Sequence, residues 1–476
     1  MTRFCWQEII SEKRIPEYEQ KEDAKRYRSE IESDYHRIIR SASYRRLQDK
    51  TQVFPLDHSD FVRTRLTHSM EVSSLAKMIG KQVCAGIYEQ GLEEKENLPD
   101  PVNMMETLNC AGLLHDIGNP PFGHFGEFSI RDWFKKNLDR KMFRDRTLRS
   151  CLDAQQIADL ENFEGNAQAL RIITKLHRLI GNHGMHLTSA VMDTIIKYPY
   201  DSLTMLEEKK KPKAERSLLK KKIGYFQSET EQFLKIKENT KTSNARNPLC
   251  FILEAADDLA YTFADLEDGY NKGLYSYLDL YQVLKDAKDE AGIDMLEREY
   301  ERFEEDHLYT DAYVEGKQSA VFSWLTKKQL SCVSVISDAF LEHYEAIMNG
   351  TFQEELITVS KAGVIINALK TFAYKRIYCH SSILKLELMG NEILCFLLDR
   401  FVDALIYYDT EVELSEIQTK YIDLLSRNYL EQYHEATKNM QDEDAKLYHR
   451  LLLATDFLSG MTDSFAKRLY QDIRGF

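Results

Sequence analysis

The sequence predicts an all-α fold, on three observations. Glycine and proline are scarce, 20 and 9 in 476 residues, about half the usual share of the two residues that punctuate turns. Long stretches carry apolar residues three and four apart, the spacing of one helix face. Helix punctuation stands where those stretches begin and end, as at Asn247-Pro248 and Lys197-Tyr-Pro199.

The length allows two or three average domains or one large helical one. We expect a core over residues 1–280 with a charged insertion at about 205–222, and a helical region over 281–476 packed on it. The net charge of −14 excludes a broad nucleic-acid coat. A polyanionic ligand would therefore be met locally, by a metal or a basic pocket. The eight cysteines are scattered, with no C-x-x-C pair. That suits a reducing cytosol and argues against a disulfide frame or a zinc–thiolate site. The first residues, Met-Thr-Arg-Phe-Cys-Trp-Gln-Glu, hold no apolar signal core. No apolar run reaches the ~18 residues of a membrane span; Ile393–Leu398 stops at Asp399-Arg400. The expected location is the cytoplasm, with no membrane partner.

Taken in order, the first fifty residues are highly charged and predict a helix from about Ala24 to Arg46. Arg45 and Arg46 are divided between a solvated face and a ligand contact. Pro55 to Asp60 reads as a loop. A helix over about Thr67–Val83 has the stripe Val72, Leu75, Ile79 and Val83, and His68 opens it one turn earlier. A polar loop from Gly91 to Pro101 leads to a helix with Met104, Leu108, Ala111 and His115 on one face, so His115 closes that stripe. Consecutive helices on a short loop pack antiparallel. That would bring His68 to His115 and Asp116; the alternative is two separate core histidines. Gly118, Pro120, Pro121, Gly123 and Gly126 then stop the helix and make a compact turn bearing His124 and Glu127.

Phe128 to Lys197 keeps a helical pattern. Residues 207–222 hold seven Lys and one Arg. They read as a mobile surface loop, with a polyanion contact as the alternative. Asn247 caps a helix with Pro248 at its first position, running to about Gly269. Its Asp257, Tyr261 and Asp265 form a polar line four residues apart. That line is either exposed or a buried set needing partners, because buried carboxylates are costly unless paired or metal-bound. Residues 280–310 are acidic and helical. Amphipathic helices continue to the end, with one basic-aromatic cluster, Ala373 to His380.

His68, His115, Asp116 and Asp257 together offer two neutral nitrogens and two carboxylates. Such a set suits Mn²⁺, Mg²⁺, Fe²⁺ or Co²⁺, and Ni²⁺ also fits. The metal could activate a water or clamp a phosphoryl oxygen. His124 and Glu127, three residues apart, suit a histidine oriented by a carboxylate and acting as acid or base. No G-x-x-x-x-G-K-[ST], H-E-x-x-H or G-x-S-x-G motif is present.

The order His68…His115-Asp116…Asp257 resembles the metal set of the HD-domain phosphohydrolases. The extended stretch His115-Asp-Ile-Gly-Asn-Pro-Pro-Phe-Gly-His-Phe-Gly-Glu127 is more specific, and resembles the bacterial deoxynucleotide triphosphohydrolases of the dGTP triphosphohydrolase type. Tyr44-Arg-Arg-Leu-Gln-Asp-Lys-Thr-Gln-Val-Phe54, Arg63-Thr-Arg-Leu-Thr-His68, Glu161 to Gln168, Lys197-Tyr-Pro199, Gly224 to Glu229 and Asp257 to Asp268 agree in the same order. The likeness spans residues 35–270 and is weak beyond about 280. It implies an HD-domain helical core with an appended helical C-terminal region. It also implies metal-dependent hydrolysis of a dNTP to deoxynucleoside and inorganic triphosphate, by water attack at the α-phosphorus. By motif position Asp257, rather than Asp258, is the fourth ligand. Tyr261 and Asp265 would meet the sugar, Arg65 and Lys197 the phosphates, and Gln48 the sugar or base, with Arg46 and Arg376 carried alongside. The resemblance further implies a homo-oligomer, a hexamer in similar proteins, and an effector that is a dNTP or single-stranded DNA. Competing readings are another HD phosphohydrolase, acting as a phosphodiesterase or 5′-nucleotidase, and a non-catalytic helical binding protein.

Overall fold

Helices account for nearly all of the regular structure in the computed structural model, which describes residues 3–17, 28–56, 62–177, 183–305 and 312–475. The helices used below are α1 Glu30–Arg40, α2 Arg65–Gln90, α3 Pro101–Leu114, α4 Gly123–Asn137, α5 Gly165–Arg171, α6 Pro248–Asn271, α7 Ala312–Glu342, α8 Gly363–Ala373, α9 Ser381–Leu405, α10 Glu443–Ser459 and α11 Asp463–Arg474. The sheet among the described residues is one hairpin, β1 Met142–Phe143 with β2 Arg146–Thr147. It interrupts the stretch from Phe128 to Lys197 that the sequence predicts as helical. Arg144 turns the chain at φ +56, and Phe143 anchors the hairpin in the core.

The expected Ala24–Arg46 helix is two helices. Ser29 and Glu32 form a reciprocal capping box at the start of α1. Ser41 adopts an extended backbone, and its side chain caps a second short helix, Ala42–Arg45. Ala24 to Tyr27 lie outside the described residues, as do residues 57–60 of the expected loop.

α2 begins on a capping box between Thr64 and Thr67 and ends at Gly91, whose φ of +60 suits glycine. It is longer than its predicted span because α3, α6 and α7 all pack on it. Val72, Ile79 and Val83 have no exposure; full burial of each stabilises by roughly 1.5–3 kcal/mol. α2 and α3 run antiparallel: Gly112 faces Ser73, and Gly80 faces Leu108 and Met105. Start of one therefore meets end of the other, and His68 lies beside His115.

The buried apolar cluster continues from Phe4 to Leu469 without a break between the two halves of the chain. α9 packs along α4, with Gly390 against the Phe122 ring. The basic segment expected to be a mobile loop is instead tied down. Ser217 N–H donates to Glu208 at 2.8 Å, and Arg216 donates to the carbonyls of Lys209 and Lys211. No helix among the described residues is long and apolar enough to cross a membrane.

Candidate functional site

The site is built where four helix ends converge. His68 lies on the first turn of α2 and is fully buried. His115 follows the last residue of α3. Its Nδ1–H donates to the Gly112 carbonyl at 2.7 Å. That bond turns Nε2 toward Asp257, 3.4 Å away, and Asp116, 3.7 Å away. Asp257 comes from the middle of α6, and its Oδ1 also lies 3.1 Å from His68 Nε2. The ligand-type atoms of His68, His115 and Asp116 all fall within 4.8 Å of one another. His115 Nε2 is buried and has no hydrogen-bond partner, an arrangement that normally demands explanation.

Electrostatics match the geometry. Burial alone would strip the proton from His115, but Asp116 and Asp257 outweigh it and hold the imidazole up to about 9. Burial pushes the Asp116 carboxyl up, yet Arg65 and His115 bring it down to about 2. Burial likewise opposes ionisation of Asp257, and His115 and His68 hold it well below the usual carboxylate range. The pocket thus favours a positive charge between the two carboxylates.

α4 starts inside the glycine-proline run, so His124 lies in the first turn of a helix and Glu127 just beyond it, rather than in the expected loop. His124 Nδ1 is 3.0 Å from Glu127 Oε2. The other carboxylate oxygen, Oε1, accepts the Gly165 N–H at 2.7 Å, the first of α5. A Cβ on Gly165 would come within 2.2 Å of Asn119 Oδ1 and 2.8 Å of Glu127 Oε1, so only glycine allows this approach. The His124 side chain is 78% exposed, while Glu127 is buried. The hydrogen bond that His124 donates to the Glu127 carboxylate raises the imidazole pKa, and the negative charge of Glu127 adds to it. In return, His124 overcomes the burial of Glu127 and holds its carboxyl at about 2.

These groups open onto a cavity of about 660 Å³. Arg65, Lys197, Tyr261 and Asp265, all singled out in the sequence, line it with His115, Asp116, His124, Glu127 and Asp257. Arg65 donates to Asp116, and Lys197 pairs with Glu254. The Tyr378 hydroxyl donates to Asp265, whose carboxyl burial pushes up to about 7.

Three expected substrate contacts are not brought here. Gln48 is exposed on the turn Arg46–Asp49, because its neighbour Leu47 points inward. Arg46 reaches Tyr429 and the Gly460 carbonyl instead, and Arg376 pairs with Asp279 at 2.8 Å. Conversely, Gln52, Lys222, Lys370, Tyr378 and Glu387 line the cavity without having been singled out. Gln52 sits four residues past Gln48 in the same quoted stretch. Lys222 closes the lysine run, just before the Gly224 segment. Tyr378 belongs to the basic-aromatic cluster Ala373 to His380, whereas for Lys370 and Glu387 the local pattern carries no signal.

Comparison with known proteins identifies the family. The HD domain family matches residues 65–262, and the phosphohydrolase-associated domain matches residues 357–472. A deoxyguanosinetriphosphate triphosphohydrolase-like protein of Listeria monocytogenes is 42% identical over 94% of each chain. A deoxyguanosinetriphosphate triphosphohydrolase of Enterobacter sp. is 36% identical over 92% of each, and a triphosphohydrolase-like protein of Synechocystis sp. is 33% identical over 99% of each. On full-length similarity and the shared HD domain, the chain belongs to the deoxyguanosinetriphosphate triphosphohydrolase family of HD-domain hydrolases.

Proposed function

We propose that this chain hydrolyses a deoxynucleoside triphosphate, dGTP first among those to test, to the deoxynucleoside and inorganic triphosphate. The observation that carries the reading is the buried, unpaired His115 Nε2 facing carboxylates from two separate segments. His68, His115, Asp116 and Asp257 would hold a divalent ion. Two neutral nitrogens and two carboxylates match its charge, and accept Mn²⁺ or Mg²⁺ as well as Co²⁺, Fe²⁺ or Ni²⁺. When bound, the metal supplies Lewis acidity at the α-phosphate.

The protein's own groups do the rest. The water oxygen bonds to the α-phosphorus, the bond to the 5′ oxygen breaks, and a proton ends on that oxygen. His124 is the proton carrier, oriented by Glu127. Its hydrogen bond to Glu127 raises the imidazole pKa and so favours the imidazolium, the form that can donate to the departing oxygen. Arg65 and Lys197 would bind phosphate oxygens, helped by Lys222. In the free protein these cations are balanced by Asp116, Glu254 and Glu164, pairs that an incoming triphosphate would rearrange. Tyr261 and Asp265 would hold the sugar. A homo-oligomer, and a dNTP or single-stranded DNA as effector, belong to the same reading.

Incubation with each dNTP and Mn²⁺, beside an EDTA control, tests it by chromatography. Deoxynucleoside release that EDTA abolishes supports the reading; release of a nucleoside monophosphate would move the chain to another HD activity. Tyr261→Ala should weaken rejection of ribonucleotides by about tenfold or more, since a crowded pocket wall is removed. Unchanged ratios of kcat/KM for dGTP over GTP would exclude that role.

Metal binding should also depend on pH. The metal-free His115 holds its proton to about 9, against 6.5 ordinarily. This protonation stabilises the metal-free fold fully below about pH 6.5, and the benefit is lost as pH rises toward 9. A metal must displace that proton, so Mn²⁺ affinity should fall about tenfold per pH unit below 9. Titration calorimetry at several pH values checks this; a flat affinity between pH 6 and 8 would contradict it.

A further inference from the structure

The turn of chain from Asp456, near the end of α10, to Asp463, the first residue of α11, touches the catalytic segments at three points, all within the stretch matching the phosphohydrolase-associated domain. Asp463 is 1% exposed. Its Oδ1 accepts the Phe122 N–H at 2.9 Å, and its Oδ2 accepts the Thr51 N–H at 3.0 Å and the Thr51 hydroxyl at 2.7 Å. Phe122 has φ +62, a conformation that side chains disfavour and that its surroundings must hold. It lies two residues before His124, and Thr51 directly precedes the cavity residues Gln52 and Val53.

The second point is Ser459. The buried Lys50 Nζ donates to its carbonyl at 2.7 Å and to the Asn119 carbonyl at 2.5 Å. The Asn119 amide in turn donates to Asp116 Oδ1 at 2.5 Å. The third is Asp456, which accepts from Arg171 Nε at 2.7 Å and Gln168 Nε2 at 3.0 Å. Both belong to α5, whose first N–H holds Glu127. Asp456, Ser459 and Asp463 stand three and four residues apart. One turn thus grips the loop bearing Asp116, the residue before the His124 turn, and the helix that fixes Glu127. Packing alone would be served as well by apolar side chains, since buried charges cost desolvation; directional bonds are needed where geometry matters.

We infer that this turn of the C-terminal region is the positioning element of the catalytic centre, with Asp463 as its principal positioning residue. It sets the metal ligand Asp116 and the His124–Glu127 pair without touching substrate. The inference rests on the function proposed above for those residues.

The test compares Asp463→Asn with Leu469→Ala, a buried core change on the same helix, and with Thr51→Val, which removes one of the three bonds to Asp463. Mn²⁺ binding is read by the paramagnetic resonance of the free ion, which needs no turnover; kcat and KM for dGTP are read separately. Asp463→Asn should weaken Mn²⁺ binding and lower kcat about tenfold or more, with KM within about twofold, as loss of a supporting partner does elsewhere. Thr51→Val should shift both in the same direction by about threefold, and it decides the matter if Asp463→Asn does not fold. Leu469→Ala should lower the melting temperature but leave Mn²⁺ binding and kcat intact. Wild-type binding and kcat in the Asp463 and Thr51 variants, or losses no larger than those of Leu469→Ala, would overturn the inference. If the wild-type protein turned over no dNTP, the functional reading would fail while the Mn²⁺ comparison still judged the turn.

Discussion

His115→Ala and Asp116→Ala should each remove metal-dependent turnover of dGTP, by well over about 100-fold. Loss of a partner that merely supports a ligand costs about 10–100-fold, and these changes delete ligands themselves. Each also breaks the charge balance of the pocket. Without His115 the carboxylates of Asp116 and Asp257 lose the cation between them, and without Asp116 the buried Arg65 loses its acceptor. Helix content should nonetheless be kept, because His115 and Asp116 follow the last residue of α3 and the apolar side chains that pack the helix are untouched. Circular dichroism and kinetics on the same samples check this. Full activity after either change would remove the metal assignment.

His124→Ala should lower kcat by about 10²–10⁴, the usual worth of a positioned acid or base. KM and Mn²⁺ binding should change little, since the exposed imidazole makes no bond to the ligand set. The companion change Glu127→Gln decides the direction of proton transfer. Glu127 raises the His124 pKa, so its loss should lower it. If His124 donates, the alkaline limb of the kcat profile reports it, and that limb moves to lower pH in Glu127→Gln. If His124 accepts, the acid limb moves instead. A profile unmoved on both limbs, with wild-type kcat, would take the pair out of the chemistry.

The parts of the site legible in the sequence are those governed by local rules. Helical periodicity put His68 at one end of a stripe and His115 at the end of the next. Antiparallel packing of neighbouring helices then brought them together, as Ser73 opposite Gly112 attests. Asn247-Pro248 marked the start of α6, and the four-residue spacing of Asp257, Tyr261 and Asp265 put them on one face, where all three line the cavity. Where periodicity stops, local pattern no longer says which side chains face the site. Residues 46–55 form a tight turn and then irregular chain, with no repeat to tell whether Gln48 or Gln52 points inward. Arg46 and Arg376 carry the right charge, but their partners, Tyr429 and Asp279, are set by tertiary contacts. Composition alone predicts a loose loop for the lysine run, whereas Lys221 and Lys222 line the cavity. Asp463 lies 412 residues from its partner Thr51, a separation that no spacing rule reaches.

The most direct test of the central claim is phosphorus NMR of the products of dGTP hydrolysis in ¹⁸O-enriched water with Mn²⁺. Water attack at the α-phosphorus predicts inorganic triphosphate carrying the label on a terminal phosphorus, and unlabelled deoxyguanosine, in a reaction that EDTA stops. Labelled orthophosphate or pyrophosphate, or label in the 5′ hydroxyl of deoxyguanosine, would contradict it.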